Sequence, residues 1–145
     1  MPAATIQHTT TIDAPRERVW DGLQDPNVWT SIGPVQKVWD PQFEDGVLTG
    51  FQWSTEIGGV VYEGTGSAAV RERPGRYQLV LDTSEVAGTI TVNLRDRNPG
   101  GTEVEVTVEI RSKGLLSSMF FPVVRRAIDD SLPEQVDAIA DRLSA

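Results

Sequence analysis

From Glu103 to Ile110 the chain alternates strictly, with Val104, Val106, Val108 and Ile110 on one side and Glu103, Glu105, Thr107 and Glu109 on the other. A period of two is that of a strand with one buried face. Turn residues divide the preceding stretch, from Val35 onward, into further pieces of strand length. They sit at Glu44-Asp45-Gly46, Gly58-Gly59, Pro74-Gly75 and Asn98-Pro99-Gly100-Gly101, with another turn near Thr83 to Glu85. Six strand segments result, and loops this short permit only antiparallel neighbours, since a parallel crossover needs about a dozen residues or more. Thr5 to Ile12, rich in threonine and isoleucine, adds one more. The pattern predicts a seven-stranded antiparallel meander.

Two interruptions have the period of a helix. Asp13-Ala14-Pro15 marks a start, with Asp13 as the expected cap, and Val19, Trp20 and Leu23 then share one face. Asp25-Pro26 opens a second short helix carrying Val28, Trp29 and Ile32, stopped at Gly33-Pro34. The third helical stretch is long. Leu116, Phe120, Val123, Val124, Ala127, Ile128, Leu132, Val136, Ile139, Ala140 and Leu143 recur every three or four residues. Pro122 and Pro133 each remove a backbone donor, so an early irregularity and a bend or break before Pro133 are expected. This helix is the largest apolar surface available to cover the sheet, and the sheet should curl around it. Gly50, Gly58, Gly59, Gly64, Gly66 and Gly88 are where such bending costs least. No linker or internal repeat divides residues 1–145, which read as a single α+β domain.

Composition removes whole classes of chemistry. The 145 residues contain no cysteine, which excludes disulfides, thiolate metal sites and thiol catalysis. One histidine, His8, leaves few pieces for a metal site or a Ser-His-Asp triad. A net charge of -8 gives no basic footprint for nucleic acid and none for an anionic membrane surface. No apolar run approaches the roughly 20 residues needed to span a bilayer, and the opening residues lack the pattern of a signal peptide. A soluble, cytoplasmic protein is expected.

Several local signals invite a function and fail a context test. Gly64-Thr65-Gly66-Ser67-Ala68-Ala69 matches a dinucleotide fingerprint, but that mechanism needs a helix directly after the glycines. Here the alternation is that of a strand, and Pro74-Gly75 ends it, so no cofactor is expected. His8 shares parity with Ile6, Thr10 and Ile12 and reads as a hydrogen-bonded strand histidine rather than a general base. Glu56 and Glu63 lie beside one hairpin, where surface glutamates are far commoner than acid–base pairs. Arg71, Arg73, Arg76, Arg95 and Arg97 fall at one end of the sheet and read as solvated hairpin tips. No catalytic residue and no metal ligand is assigned.

The order strand, two short helices, six strands and a long helix resembles the SRPBCC superfamily, also called START-like or birch-pollen-allergen-like, with its helix-grip fold. Ile12-Asp13-Ala14-Pro15 with Val19-Trp20 and Leu23, followed by Asp25-Pro26 and Trp29, is similar to the opening of its polyketide cyclase/dehydrase-like branch. The resemblance implies binding of lipids, polyketides or related molecules, or cyclisation of polyketides, or service as an accessory subunit; no catalytic motif is shared across the superfamily. A curled sheet gripping one helix leaves an apolar cavity unless large side chains fill it. By strand parity Thr49, Phe51, Trp53 and Thr55 share one face, Tyr77, Leu79 and Leu81 another, and Val60, Tyr62, Gly64, Gly66 and Ala68 a third, where the small members leave volume. Met119, Phe120 and Val123 should face these strands from the last helix. Phe51, Trp53, Tyr62, Tyr77, Leu79, Met119, Phe120 and Val123 are thus the candidate ligand contacts for a hydrophobic or amphipathic small molecule. A cyclase/dehydrase-type enzyme and a protein-interaction subunit are the alternatives.

Overall fold

The computed structural model describes residues 3–32, 35–57, 59–97 and 99–144, and the side chains at 31, 57, 115–118 and 120 lie outside that description. The expected stop at Gly33-Pro34, the turn residues Gly58 and Asn98, and the side chains of Leu116 and Phe120 therefore fall outside it.

The hairpin at Asp45-Gly46 shows how closely turn chemistry sets this sheet. Glu44 pairs with Val47, leaving a two-residue loop, and Asp45 and Gly46 both have positive φ, 52° and 78°. That geometry matches the twist of the flanking strands and favours Asp-Gly. Similar short loops join β2 (Lys37–Glu44), β3 (Val47–Ile57), β4 (Val60–Glu72), β5 (Arg76–Asp82), β6 (Val86–Arg97) and β7 (Gly101–Ser112) into an antiparallel meander. β1 (Ala3–Ile12) completes the seven-stranded sheet, but beside β7 rather than β2, in the order β1-β7-β6-β5-β4-β3-β2. α1 (Arg16–Leu23) and a 3-10 helix (Pro26–Ser31) carry the chain from one edge of the sheet to the other. The segment resembling a dinucleotide fingerprint lies inside β4, with no helix after its glycines.

Asp13 is not the cap of α1. Pro15 occupies that position, and the Asp13 backbone N–H donates to Ser144 Oγ at 3.2 Å. Asp25 does cap the 3-10 helix, accepting from the Asn27 N–H at 3.0 Å. The last helix, α2 (Leu115–Leu143), runs through both Pro122 and Pro133 without the expected break. Burial explains the continuity: Ile128 and Leu132 before Pro133, and Val136 and Ala140 after it, all pack into one core. Each proline removes a single bond, and that shared buried face outweighs the loss.

α2 is fixed at both ends. At its start Lys113 reaches the β5–β6 turn, its backbone N–H on Glu85 O at 2.7 Å and its Nζ on Asp82 Oδ1 at 2.7 Å and Thr83 O at 2.9 Å. At its end Leu143 packs directly on Gly22 of α1, where no side chain would fit. Between these anchors His8 Nε2 meets Asp137 Oδ1 at 3.2 Å. The sheet therefore has one end closed by α1, where the β2–β3, β4–β5 and β6–β7 turns gather. The opposite end carries the β3–β4 and β5–β6 turns and the start of α2. Among the described residues no helix is long and apolar enough to cross a membrane.

Candidate ligand site

The interior near α1 is filled and its polar atoms are paired. Trp20 meets Tyr77 edge-on and Trp29 stacks on it, with ring centroids 5.7 and 5.6 Å apart. The Tyr77 hydroxyl donates to Leu48 O at 2.6 Å, and the Trp29 indole N–H to Leu23 O at 3.0 Å. Gln24 bridges two elements, donating to Trp20 O at 2.9 Å and accepting from the Leu48 N–H at 2.8 Å. Burial pushes the Tyr77 phenol well above its usual range, because the phenolate would be desolvated; the Arg71 guanidinium offsets part of this. Between α1, the sheet and the second half of α2 lies a cavity of about 20 Å³, walled by residues such as Ile12, Val19, Leu23, Val106, Val136 and Leu143. It is no larger than a water and offers almost no polar partner, so it should stay dry.

The far end differs. Thr55 and Tyr62 face each other across the β3–β4 ladder, as do Trp53 and Gly64 one pair further in. Trp53 is fully buried and donates its indole N–H to Thr65 O at 2.9 Å. Yet Ala4, Gly88, Gly64 and Tyr62, inward by strand parity, are only half-buried. Solvent reaches the inner face there and not beside α1.

Of the eight candidate contacts, Phe51, Trp53, Tyr77 and Leu79 lie in the core and Tyr62 is half-buried at the open end. The structure thus gathers four in one packed core and keeps Tyr62 near its mouth. Met119 and Val123 do not face the strands: they are 74% and 67% exposed. Helical phase is the cause. Ile128, Leu132 and Val136 fix the buried stripe, and Met119 lies nine residues, about two and a half turns, before Ile128, on the opposite side. Phe121, buried, and Val124, partly buried, take the inward positions.

Two further expectations change. Leu48, not Thr49, is buried near the start of β3, because the β2–β3 pairing carries irregularities between Trp39 and Phe43 that shift the register. The inward glycines of β4 do not leave open volume either. A Cβ at Gly66 would sit 2.8 Å from the Phe51 ring, and one at Gly64 would collide with the Asp82 carbonyl. These glycines let a ring and a neighbouring strand approach, which tightens the curl.

Remaining signals resolve as surface chemistry. Glu56 and Glu63 are exposed. Four of the end-of-sheet arginines are in ion pairs: Arg71 with Glu44, Arg73 with Asp21, and Arg95 and Arg97 with Glu103. A groove of about 580 Å³ crosses β5, β6, β7 and β1 at the open end, lined by outward residues such as Thr5, Val80, Thr89 and Glu109. It lies on the outer face, away from α2. Among the described residues no cluster of three or more His, Cys, Asp or Glu could hold a metal.

The fold and this interior define a helix-grip protein. Residues 3–144 match the family described as polyketide cyclase / dehydrase and lipid transport, and the chain belongs to that family. No curated protein matches it by sequence. Solved structures share its fold. A START superfamily protein from Mycobacterium smegmatis superposes with a TM-score of 0.70 at 12% identity, covering 97% of this chain and 99% of that one. The Zhui aromatase/cyclase from Streptomyces sp. R1128 gives 0.60 at 16%, covering 98% and 87%. Norcoclaurine synthase from Thalictrum flavum, solved with dopamine and hydroxybenzaldehyde, gives 0.62 at 12%, covering 98% and 87%. Identities this low speak for a common fold alone.

Proposed function

We propose that the protein binds a hydrophobic or amphipathic small molecule between the inner face of the sheet and the first half of α2, entering at the end opposite α1. One observation carries the reading: the inner face is half-exposed at Ala4, Gly88, Gly64 and Tyr62 and packed shut around Tyr77. A ligand that fills this end gains apolar contact without displacing a formed core. The aromatic walls Phe51 and Trp53 support it from β3, and Phe121 and Val124 replace Met119 and Val123 as the contacts from α2. Family membership and the lipid transport in the family's description agree with it. The ligands of the structural neighbours, an aromatic amine and an aldehyde in one case, fit a site of this kind.

A cyclase- or dehydrase-type reaction stands lower. Orientation alone can accelerate such chemistry, but proton transfer needs a titratable group free to face the substrate. His8 is engaged by Asp137 and Tyr77 by Leu48. Native mass spectrometry of the protein purified without denaturant, with displacement of a lipophilic fluorescent probe, tests the binding reading. A bound mass or a saturable probe signal is expected. No uptake across a broad lipophilic set would overturn it.

A further inference from the structure

Thr55 and Tyr62 are directly opposed in the β3–β4 ladder, at the open end and on the inner face. Thr55 is buried and Tyr62 half-buried. Neither hydroxyl makes a hydrogen bond among the described residues, whereas the hydroxyls of Tyr77, Thr83 and Thr102, also buried, each donate to a backbone carbonyl at 2.6 to 2.9 Å. Buried polar groups are almost always satisfied, so two adjacent free hydroxyls at the mouth of an apolar interior are a pair awaiting a partner. Each can donate and accept.

The surroundings restrict that partner's charge. None of the buried side chains among the described residues is charged. The start of α2, Leu115 to Phe120, is Leu-Leu-Ser-Ser-Met-Phe, so it supplies no cation either. Lys113, the basic residue next to that start, is held by Asp82 and Thr83. Arg71, which reaches the Tyr77 phenol, lies at the closed end and pairs with Glu44. A carboxylate drawn into this interior would lose its water and find no counter-ion, while a hydroxyl or carbonyl would find two hydrogen-bonding groups.

Resting on the binding reading above, we propose that Thr55 and Tyr62 form a polar anchor that selects an uncharged ligand bearing a hydroxyl or carbonyl, and discriminates against carboxylates of the same shape. The ligand class is therefore a neutral oxygenated lipophile, not a free fatty or aromatic acid.

Three probes of matched shape separate the possibilities: 2-naphthalenemethanol, 2-methylnaphthalene and 2-naphthoate, titrated at pH 7 with tryptophan fluorescence as the signal. The alcohol should bind more tightly than the hydrocarbon, and at least about 30-fold more tightly than the acid. Tyr62→Phe and Thr55→Val should each weaken the alcohol by about 3- to 10-fold while leaving the hydrocarbon unchanged. Melting of both variants checks that they fold, and Tyr62→Phe, the less buried, stands alone if Thr55→Val does not. Naphthoate binding as well as the alcohol, or equal losses for alcohol and hydrocarbon in Tyr62→Phe, would overturn the anchor and leave the binding reading intact. No binding of any probe by the folded protein would overturn both.

Discussion

Tyr77 and Tyr62 are both inward-facing tyrosines on neighbouring strands, yet they sit in opposite circumstances. Around Tyr77 two tryptophans close on the ring and a backbone carbonyl takes the hydroxyl. Around Tyr62 the face is half-exposed and the hydroxyl bonds to nothing among the described residues. The α1 end has the pairing and packing expected of a folding core. The open end gives up that satisfaction, a local cost that a ligand can reverse on binding. Stability and recognition are thus separated along the sheet.

The comparison can be broken by substitution. Ile128→Asp, which buries a charge where α2 meets the core shared by both ends, should unfold the domain, a loss of about 4 kcal/mol or more. Circular dichroism would show it, and a soluble variant with unchanged melting would mean α2 does not hold the sheet. Trp29→Ala should cost about 3–5 kcal/mol in denaturant unfolding, as large buried aromatics do. Tyr62→Ala should cost about 1 kcal/mol or less and weaken probe binding instead. Equal losses for these two would erase the distinction between the ends.

Tyr77→Phe sharpens the same contrast more gently. It leaves Leu48 O without its donor and should cost about 1–3 kcal/mol. Its pH dependence has a definite sign. The folded state holds the Tyr77 proton more tightly than the unfolded chain, whose phenol titrates near 10. That contribution is complete below pH 10 and is lost as the pH rises beyond it. Melting temperatures between pH 9 and 11 should therefore fall less steeply in Tyr77→Phe than in the parent. The smallest effect is expected on the outer side of α2: Val123→Ser should change stability by no more than about 0.5 kcal/mol and leave probe affinity unaltered. A binding loss there would return Val123 to the site.

Much of this was legible in the residues. Period-two alternation and turn chemistry define β2 to β7, because one face of each strand is buried and each connection is short. What pairing β1 would choose was not legible, since a strand's local pattern carries no address for its partner. The phase of α2 was hidden in its first turns, where Leu115, Leu116, Met119, Phe120, Phe121, Val123 and Val124 make every side apolar. Only the cleaner stripe at Ile128, Leu132 and Val136 fixes which way Met119 points. The bulge that buries Leu48 in place of Thr49 depends on two strands together and leaves no mark on either alone. Tyr62 could be assigned to the inner face by parity; that its hydroxyl and that of Thr55 stand unpartnered needed the structure.

The seat of β1 beside β7 also governs the order of assembly. Ile12 pairs with Thr102 and Ala3 with Arg111, so the strand synthesised first must wait for the one synthesised last. At about 5–20 residues per second, roughly 5 to 20 seconds separate the two on the ribosome. During that interval Ile6 and Ile12 have no sheet to join, and the hairpins of β2 to β7 can form without them. Closing so long a loop is the entropically expensive step, and it places this domain among the slower folders of its size. Nascent chains released before β7 emerges should keep the meander and leave β1 open to proteolysis.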